Sequence, residues 1–505
     1  MVRTRPWCSF RSVGKTSMIA VAPAGRAKSN VMAAGGCETI EPFPQRKVIA
    51  MYPQPVAPPN PVGVAYTGPG AARWLYGFLL FQFVCQASLV APLGPLRIGF
   101  RVATFASSLL MLVLLPRYGP TLPNSSWVWL VIGLTGLGAL HPDVNSRLAA
   151  VAQLGLTVAI WAPVFWATRF RLTAQHFRTA MLLLWGFQTL SAVVGVLQVM
   201  YPDQFSPDPE FVKAQSGEMA EGLKIELANG ERVWRPFGLT DTPGGAAGAG
   251  MFAVLAGLVL VSYERRLLLR LAGAGGAVIG MFCLYVCQVR TGIVLTGIGL
   301  IVSLLLAVSR GRLVQAAWIG GGAAAAVASG FVWATTVGGD AVTARLETLV
   351  ADRADQVYYS SRGRFLEHTI DLITEYPVGA GAGRWGMMTA YFGDPMNLES
   401  PSLWVEIQPT AWLYDGGVFL LLAGYVAVLV GGWASLRAML WVKDPVVAGW
   451  GGLIVAMNIA TLANTFSYAI FASQTGMMCW VFTGVLYARA FPCAPNRFAP
   501  GRPIA

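Results

Sequence analysis

Residues 244–310 read GGAAGAGMFAVLAGLVLVSYERRLLLRLAGAGGAVIGMFCLYVCQVRTGIVLTGIGLIVSLLLAVSR. Three apolar runs, 244–263, 267–288 and 291–309, are parted only by Glu264-Arg265-Arg266 and by a turn around Arg290. A helix crossing a bilayer core of about 30 Å needs about 20 mostly apolar residues. Each run has that length, and the separators are too short to fold by themselves. The stretch reads as three consecutive membrane-spanning helices.

Working outward, the same rule finds runs at 74–92, 98–115, 126–141, 148–168, 178–200, 314–337, 411–436, 445–464 and 467–490. The expected fold class is all-α: a polytopic membrane helical bundle of about 12 transmembrane helices, with a large periplasmic loop between the ninth and tenth spans that contains an amphipathic helix. Composition agrees. Of 505 residues, 55% are hydrophobic and 12% charged, and the mean hydropathy is +0.56. An average soluble domain carries roughly 25% charged residues. A soluble enzyme, a disordered protein and a disulfide scaffold are thereby excluded.

The chain is expected to divide into a disordered basic, Pro-rich cytoplasmic tail (1–70), the first nine spans (71–337) with an external loop at 202–243, a periplasmic loop domain (338–410), the last three spans (411–490) and a cytoplasmic tail (491–505). Residues 1–70 hold eight Lys/Arg against two acids and the stretch PQPVAPPNP from Pro53 to Pro61. They contain no signal-peptide core. The rival reading is that they lie upstream of the true start.

Basic residues set the orientation. With the tail inside, the cytoplasmic loops carry Arg117, Arg169/Arg171/Arg178, Arg265/Arg266/Arg270, Arg310/Arg312 and Arg437/Lys443, and Arg489, Arg497 and Arg502 follow the last span. Arg97 and Arg101, in the first external turn, are the exceptions. The net charge of +12 then reports cytoplasmic loops rather than nucleic acid. The two long external loops contain 18 of the 24 acids, so the soluble chemistry is expected outside. The expected location is a membrane crossed many times, with both termini cytoplasmic.

Several motifs have bland readings. The GxGxxG of Gly381–Gly386 follows a helix (Arg364–Tyr376, apolar at Leu366, Ile370 and Ile373) and Pro377, not a strand. It reads as a flexible turn where backbone approaches a ligand or the bilayer, not as a dinucleotide site. Asn124-Ser-Ser126 is a glycosylation sequon on the cytoplasmic side and is set aside. His141, His176 and His368 are dispersed, and the seven cysteines form no CxxC, so no metal site is expected. Cys283 and Cys287 share one helix face and read as buried, inert thiols.

Four elements far apart in sequence carry the chemistry. Arg235 precedes the sixth span and Arg290 sits between the seventh and eighth. An arginine against apolar helices is costly in lipid unless it faces a bundle interior or a wet cavity, and its planar fork suits phosphate. Interfacial snorkelling is the alternative. Arg362 and Arg364 open the amphipathic helix, and Glu406 lies just before the tenth span. Glu406 is a general base or a solvated loop acid. Together these residues would form one external site for an anionic, lipid-borne substrate.

At these residues the chain resembles the O-antigen ligase and polysaccharide polymerase superfamily, polytopic membrane glycosyltransferases using undecaprenyl-pyrophosphate-linked glycans. The resemblance covers roughly 75–490 in layout. Arg235-Pro-Phe-Gly238 is similar to the family's Arg-x-x-Gly segment, and Val289-Arg-Thr-Gly292 to its Ser-Arg-Gly turn. Arg362-Gly-Arg-Phe365 with 376–383 resembles its arginine-aromatic helix and Pro-x-x-Gly-x-Gly turn. Glu406 through Asp415-Gly-Gly-Val418 resembles a segment in which His-Asn or Glu-Asn precedes an acid and a glycine.

The resemblance implies transfer or polymerisation of glycan onto an acceptor sugar hydroxyl, without metal or cofactor. Glu406, Arg290 and Arg235 would be catalytic. Arg362, Arg364, Arg384 and Gln408 would bind pyrophosphate or glycan. The implied partners are the lipid-linked donor, a glycan or lipid-linked acceptor and the bilayer, with no nucleic acid. Related ligases have His-Asn where this chain has Glu406-Ile407, which shifts the expectation from lipid A core ligation toward polymerisation. The alternative from another class is a transporter or flippase, and a structural or assembly protein is a third. Spans nearly free of interior charge and unlike halves argue against transport.

Overall fold

The computed structural model describes residues 66–67, 69–91, 96–115, 121–207, 223–227, 230–350, 356 and 358–491. The expectations for most of the tail 1–70, for Arg117 and for Arg497 and Arg502 fall outside them. The described chain is mostly helical. Its long helices are α1 (Pro69–Ser88), α2 (Leu96–Leu114), α3 (Ser125–Ala139), α4 (Arg147–Trp161), α5 (Ala174–Met200), α6 (Ala246–Tyr263), α7 (Leu267–Cys287), α8 (Arg290–Ser309) and α9 (Leu313–Val350). Two short helices follow, α10 (Arg364–Glu375) and α11 (Gly386–Phe392), then α12 (Gln408–Trp441), α13 (Pro445–Asn464) and α14 (Gln474–Ala490). Among the described residues, nine helices are long and apolar enough to cross a membrane. The others that coincide with apolar runs are α3, which is short, α1, which carries Arg73, Gln82 and Gln86, and α14. Among the described residues strand is confined to two pairs: β1 (Tyr66–Thr67) with β2 (Phe170–Arg171), and the antiparallel hairpin of β3 (Lys224–Glu226) and β4 (Arg232–Trp234).

The bundle is organised around α6, buried over 78% of its apolar window where α2 is buried over 22%. In lipid there is little hydrophobic drive between helices, so close packing of small residues takes its place. Gly250 and Gly257 of α6 face Gly280 and Gly273 of α7, one heptad apart on each helix. A Cβ on Gly250 would sit 2.8 Å from the Gly280 carbonyl oxygen. The two backbones touch along this seam. Cys283 and Cys287 lie on α7 with their sulfurs 3.8 Å apart and fully buried.

Contacts between loops sort the helix ends. At one end Arg101, in the second turn of α2, pairs with Asp241, just before α6. Asn145, before α4, donates to the Asp394 and Ser400 carbonyls in the segment leading to α12. Gly244 lies against Val289, at the start of α8. Gln408, opening α12, accepts from the Phe471 amide before α14 at 2.7 Å. At the opposite end Arg169 donates to the Leu115 carbonyl, Arg178 pairs with Glu264, and Arg310 and Arg312 donate to the Val442 and Pro445 carbonyls. The starts of α2, α4, α6, α8, α12 and α14 therefore meet at one end, and at the other three expected cytoplasmic arginines cap carbonyls while Arg178 pairs with Glu264.

Several expectations are corrected. Arg97 and Arg101 do not stand in a turn: they lie within α2, 8% and 9% exposed, and share Asp241, 140 residues away from Arg101. An ion pair makes burial of such charge tolerable. α9 runs past 337 to Val350 with a break at Gly339, where φ is 53°. The glycine-rich turn after Pro377 is neither free nor exposed: residues 379–385 are all buried. They plug a break in α12 at Gly416–Gly417. The Ala380 amide donates to Tyr414, 2.8 Å, and the Val418 amide to the Pro377 carbonyl, 3.1 Å. A broken helix in a membrane needs such substitutes for its lost backbone bonds. In α10 the buried residues are Thr369 and Leu372, while Ile370 is 59% exposed. The Thr369 hydroxyl meets that of Thr410 at 2.6 Å, docking α10 on the start of α12. Asn124 is fully buried and donates to the Ala427 carbonyl, so it presents no glycan acceptor.

Candidate functional site

The end where α2, α4, α6, α8, α12 and α14 begin carries the charged residues singled out above. The β3–β4 hairpin delivers Arg235 directly after Trp234, and Lys224 stacks over that indole at 5.2 Å. From Arg235 the chain runs through Pro236 and Phe237 to Gly244. Gln198 at the end of α5 holds this stretch, accepting from the Phe237 amide at 2.8 Å and the Gly238 amide at 2.9 Å. Gly238 adopts φ 63° and Gly244 φ 81°, conformations that a side chain would strain. A Cβ on Gly244 would lie 3.2 Å from Val289 Cγ2 and 3.9 Å from Arg235 Cδ. Arg235 thus stands beside the turn that starts α8, whose first residue is Arg290.

Neither of these arginines has an acidic partner among the described residues, and the Nε of each is buried without a hydrogen-bond acceptor. Burial lowers the proton affinity of Arg235; a nearby Cys287 opposes this, and the charge of Arg362 adds to it. Two half-buried guanidiniums with no acidic partner among the described residues, and a third that repels one of them, make a site deficient in negative charge.

Arg362 belongs to a π-helical turn, Tyr359–Gly363, that leads into α10. Single π turns are frequent at functional sites. Its guanidinium pairs with Glu406, whose side chain is 18% exposed, and lies 5.8 Å from the Phe365 ring. The structure thus brings Arg235, Arg362 and Glu406 into one neighbourhood and sets Arg290 at the adjoining turn. Arg364 is exposed on α10, as is His368.

Arg384 and Gln408 make their contacts within the protein. Arg384 is 5% exposed, with its guanidinium donating to the Pro401 and Ala380 carbonyls. Gln408 is 2% exposed and joins α12 to the turns before α14. Both hold the scaffold. Asp415 does likewise: it accepts from Gln153 Nε2 at 2.7 Å, Trp385 Nε1 at 2.9 Å and the Gly383 amide at 3.3 Å.

Sequence reasoning missed the cluster of Arg97, Arg101 and Asp241. Arg101 also donates to the Tyr391 hydroxyl at 2.7 Å, tying α2 to α11. The cluster anchors the segment that carries Arg235. Its one signal was the misfit of two arginines at an external turn. Among the described residues no three His, Cys, Asp or Glu side chains are grouped as metal ligands. No protein-family model matches the chain, and no curated protein matches it.

Proposed function

We propose that this protein is a polytopic membrane glycosyltransferase of the O-antigen ligase and polysaccharide polymerase kind. It would transfer or polymerise glycan from undecaprenyl pyrophosphate onto an acceptor sugar hydroxyl. In this reading all twelve long helices cross the bacterial inner membrane, both termini are cytoplasmic, and the site faces the periplasm. The observation that carries it is the pair Arg235 and Arg290, unpaired by acids, beside an Arg362–Glu406 ion pair. An anionic headgroup would complete such a set.

In the reaction the acceptor oxygen bonds to the anomeric carbon as the bond from that carbon to the pyrophosphate oxygen breaks. Glu406 takes the hydroxyl proton. Arg235 and Arg290 stabilise the charge that grows on the departing pyrophosphate, each such preorganised donor contributing about 2.7–4 kcal/mol. Glu406 rests against Arg362, so the base is held inactive until the donor's phosphates draw Arg362 away. Glu406-Ile407 in place of His-Asn favours polymerisation over lipid A core ligation.

The transport reading would use the α12 break and Asp415 as a substrate or ion site. The glycine-rich turn fills that break, and Asp415 already has three donors, so the arginine site is preferred. The test is purified protein with radiolabelled lipid-linked oligosaccharide. Transfer that survives a chelator and is lost in Arg290→Ala supports the reading; full transfer by Arg290→Ala defeats it.

A further inference from the structure

The segment after α11 displays two large apolar side chains where a water-facing loop would hide them. Met396 is 84% exposed and Leu398 85%. This is no loose loop. Asn145, itself 6% exposed, grips both of its ends: Nδ2 donates to the Asp394 carbonyl at 3.0 Å and to the Ser400 carbonyl at 2.8 Å. Its Oδ1 accepts from the Asp394 amide at 2.7 Å, and its own carbonyl accepts from Asn397 at 2.9 Å. Asn397 Oδ1 in turn accepts from the Ser400 amide at 3.1 Å. Met396 and Leu398 are two residues apart on a clamped frame and are held outward together.

The frame stands beside the bundle's outer wall. Around Asn145, Leu140 directly after α3 is 81% exposed, and Leu148 and Val151 in the first turns of α4 are 61% and 63% exposed. Helix α11 is fastened to α2, whose Leu96 and Val102 are 65% and 52% exposed. The exposed residues of α2 and α4, both apolar and of membrane length, mark the surface that meets lipid. The two loop residues continue that surface past the helix ends. Asp394 and Glu399 flank them and are exposed, and the segment 393–400 contains no basic residue. Rigid apolar tips contiguous with a lipid-facing wall suit the headgroup–acyl boundary. The absence of bases means that apolar burial, not attraction to anionic lipid, holds them there.

We infer that residues 394–400 form an interfacial membrane anchor, with Met396 and Leu398 inserted into the leaflet at the site's end. The anchor fixes α11, and through Arg101 and Asp241 the segment that bears Arg235, at a set depth relative to the bilayer. This does not depend on the glycosyltransferase reading.

The test places a nitroxide at Leu398→Cys, and separately at Met396→Cys, in full-length protein whose native cysteines are replaced. Glu375→Cys on α10 serves as the water-facing control. In phosphatidylcholine vesicles, oxygen collisions should exceed those with a water-soluble nickel chelate at 396 and 398, with the order reversed at 375. Adding phosphatidylglycerol or salt should leave the ratios unchanged. Nickel collisions at 398 equal to those at 375 overturn the anchor, and a strong dependence on phosphatidylglycerol overturns its apolar basis. Neither result touches the transfer assay.

Discussion

Arg362 and Glu406 form a pair whose two members have opposite tasks in the proposed reaction, and a single substitution separates them. Glu406→Gln removes the base and also frees Arg362 for phosphate. Transfer should fall by at least 100-fold while inorganic pyrophosphate binds more tightly than in the parent protein, read by calorimetry. A pair with only a structural role would weaken binding instead. Arg235→Ala should lower transfer by roughly 100–1000-fold, the usual cost of removing one preorganised donor. Its buried Nε has no competing acceptor, so little stability should be lost with it. Asp241→Asn is expected to behave differently. It leaves Arg97 and Arg101 buried without their shared counter-charge, a loss of about 3–5 kcal/mol for a buried pair, visible as a lower melting midpoint in detergent. Arg235, Arg290 and Glu406 were legible because charge at the edge of an apolar run is conspicuous. Arg384 looked equivalent in sequence, yet its guanidinium is committed to two backbone carbonyls. Spacing carries no record of such local commitments, nor of a partner 140 residues away.

Among the elements, α6 and α12 show two uses of glycine with separate consequences. On α6 and α7 the glycines are helical and let two backbones meet. Gly280→Leu would drive a side chain into Val254 and the Gly250 carbonyl, so it should abolish a monodisperse peak in size-exclusion chromatography, whereas substitution at Gly275, which has open space around it, should not. On α12, Gly417 has φ 71°, and a Cβ there would press on Pro377 and Val378. Gly417→Ala combines about 1–2 kcal/mol of backbone strain with ejection of the glycine-rich turn, and should lower the melting midpoint markedly. Helix positions were readable from run length alone, since crossing a bilayer imposes that length on any sequence. The plug at 379–385 was not. Its glycines indicate permissive backbone, and only the break at Gly416–Gly417 shows that the permission serves close packing rather than movement. The same holds for α10, whose apolar periodicity named Ile370 while the docking surface chose Thr369 and Leu372.

For the whole molecule the decisive property is the sorting of loops. The starts of α2, α4, α6, α8, α12 and α14 meet at one end, and Arg169, Arg178, Arg310 and Arg312 make their contacts at the other. Chain direction must reverse between successive long helices to give that result. It follows that α1, α3 and α14, which fall outside the nine clear membrane helices, must run the same distance as their neighbours if α2, α4 and α13 cross. The short α3 would do so with help from the turns on either side, tied by the Leu122 amide to the Val164 carbonyl and by the Ala382 amide to the Gly138 carbonyl. Single-cysteine labelling measures this directly. A membrane-impermeant maleimide on intact cells should modify Asp143→Cys and Glu399→Cys, while Arg265→Cys and Lys443→Cys should react only after permeabilisation. Labelling of 143 and 265 from one side would break the alternation between α3 and α7 and separate Arg235 from the loops expected beside it. Labelling of all four with sides exchanged would keep the fold and the site intact but turn the site toward the cytoplasm, where a periplasmic polymerase has no acceptor. The arginines capping carbonyls at the far end argue for the first outcome, because basic loops are the ones retained on the cytoplasmic side.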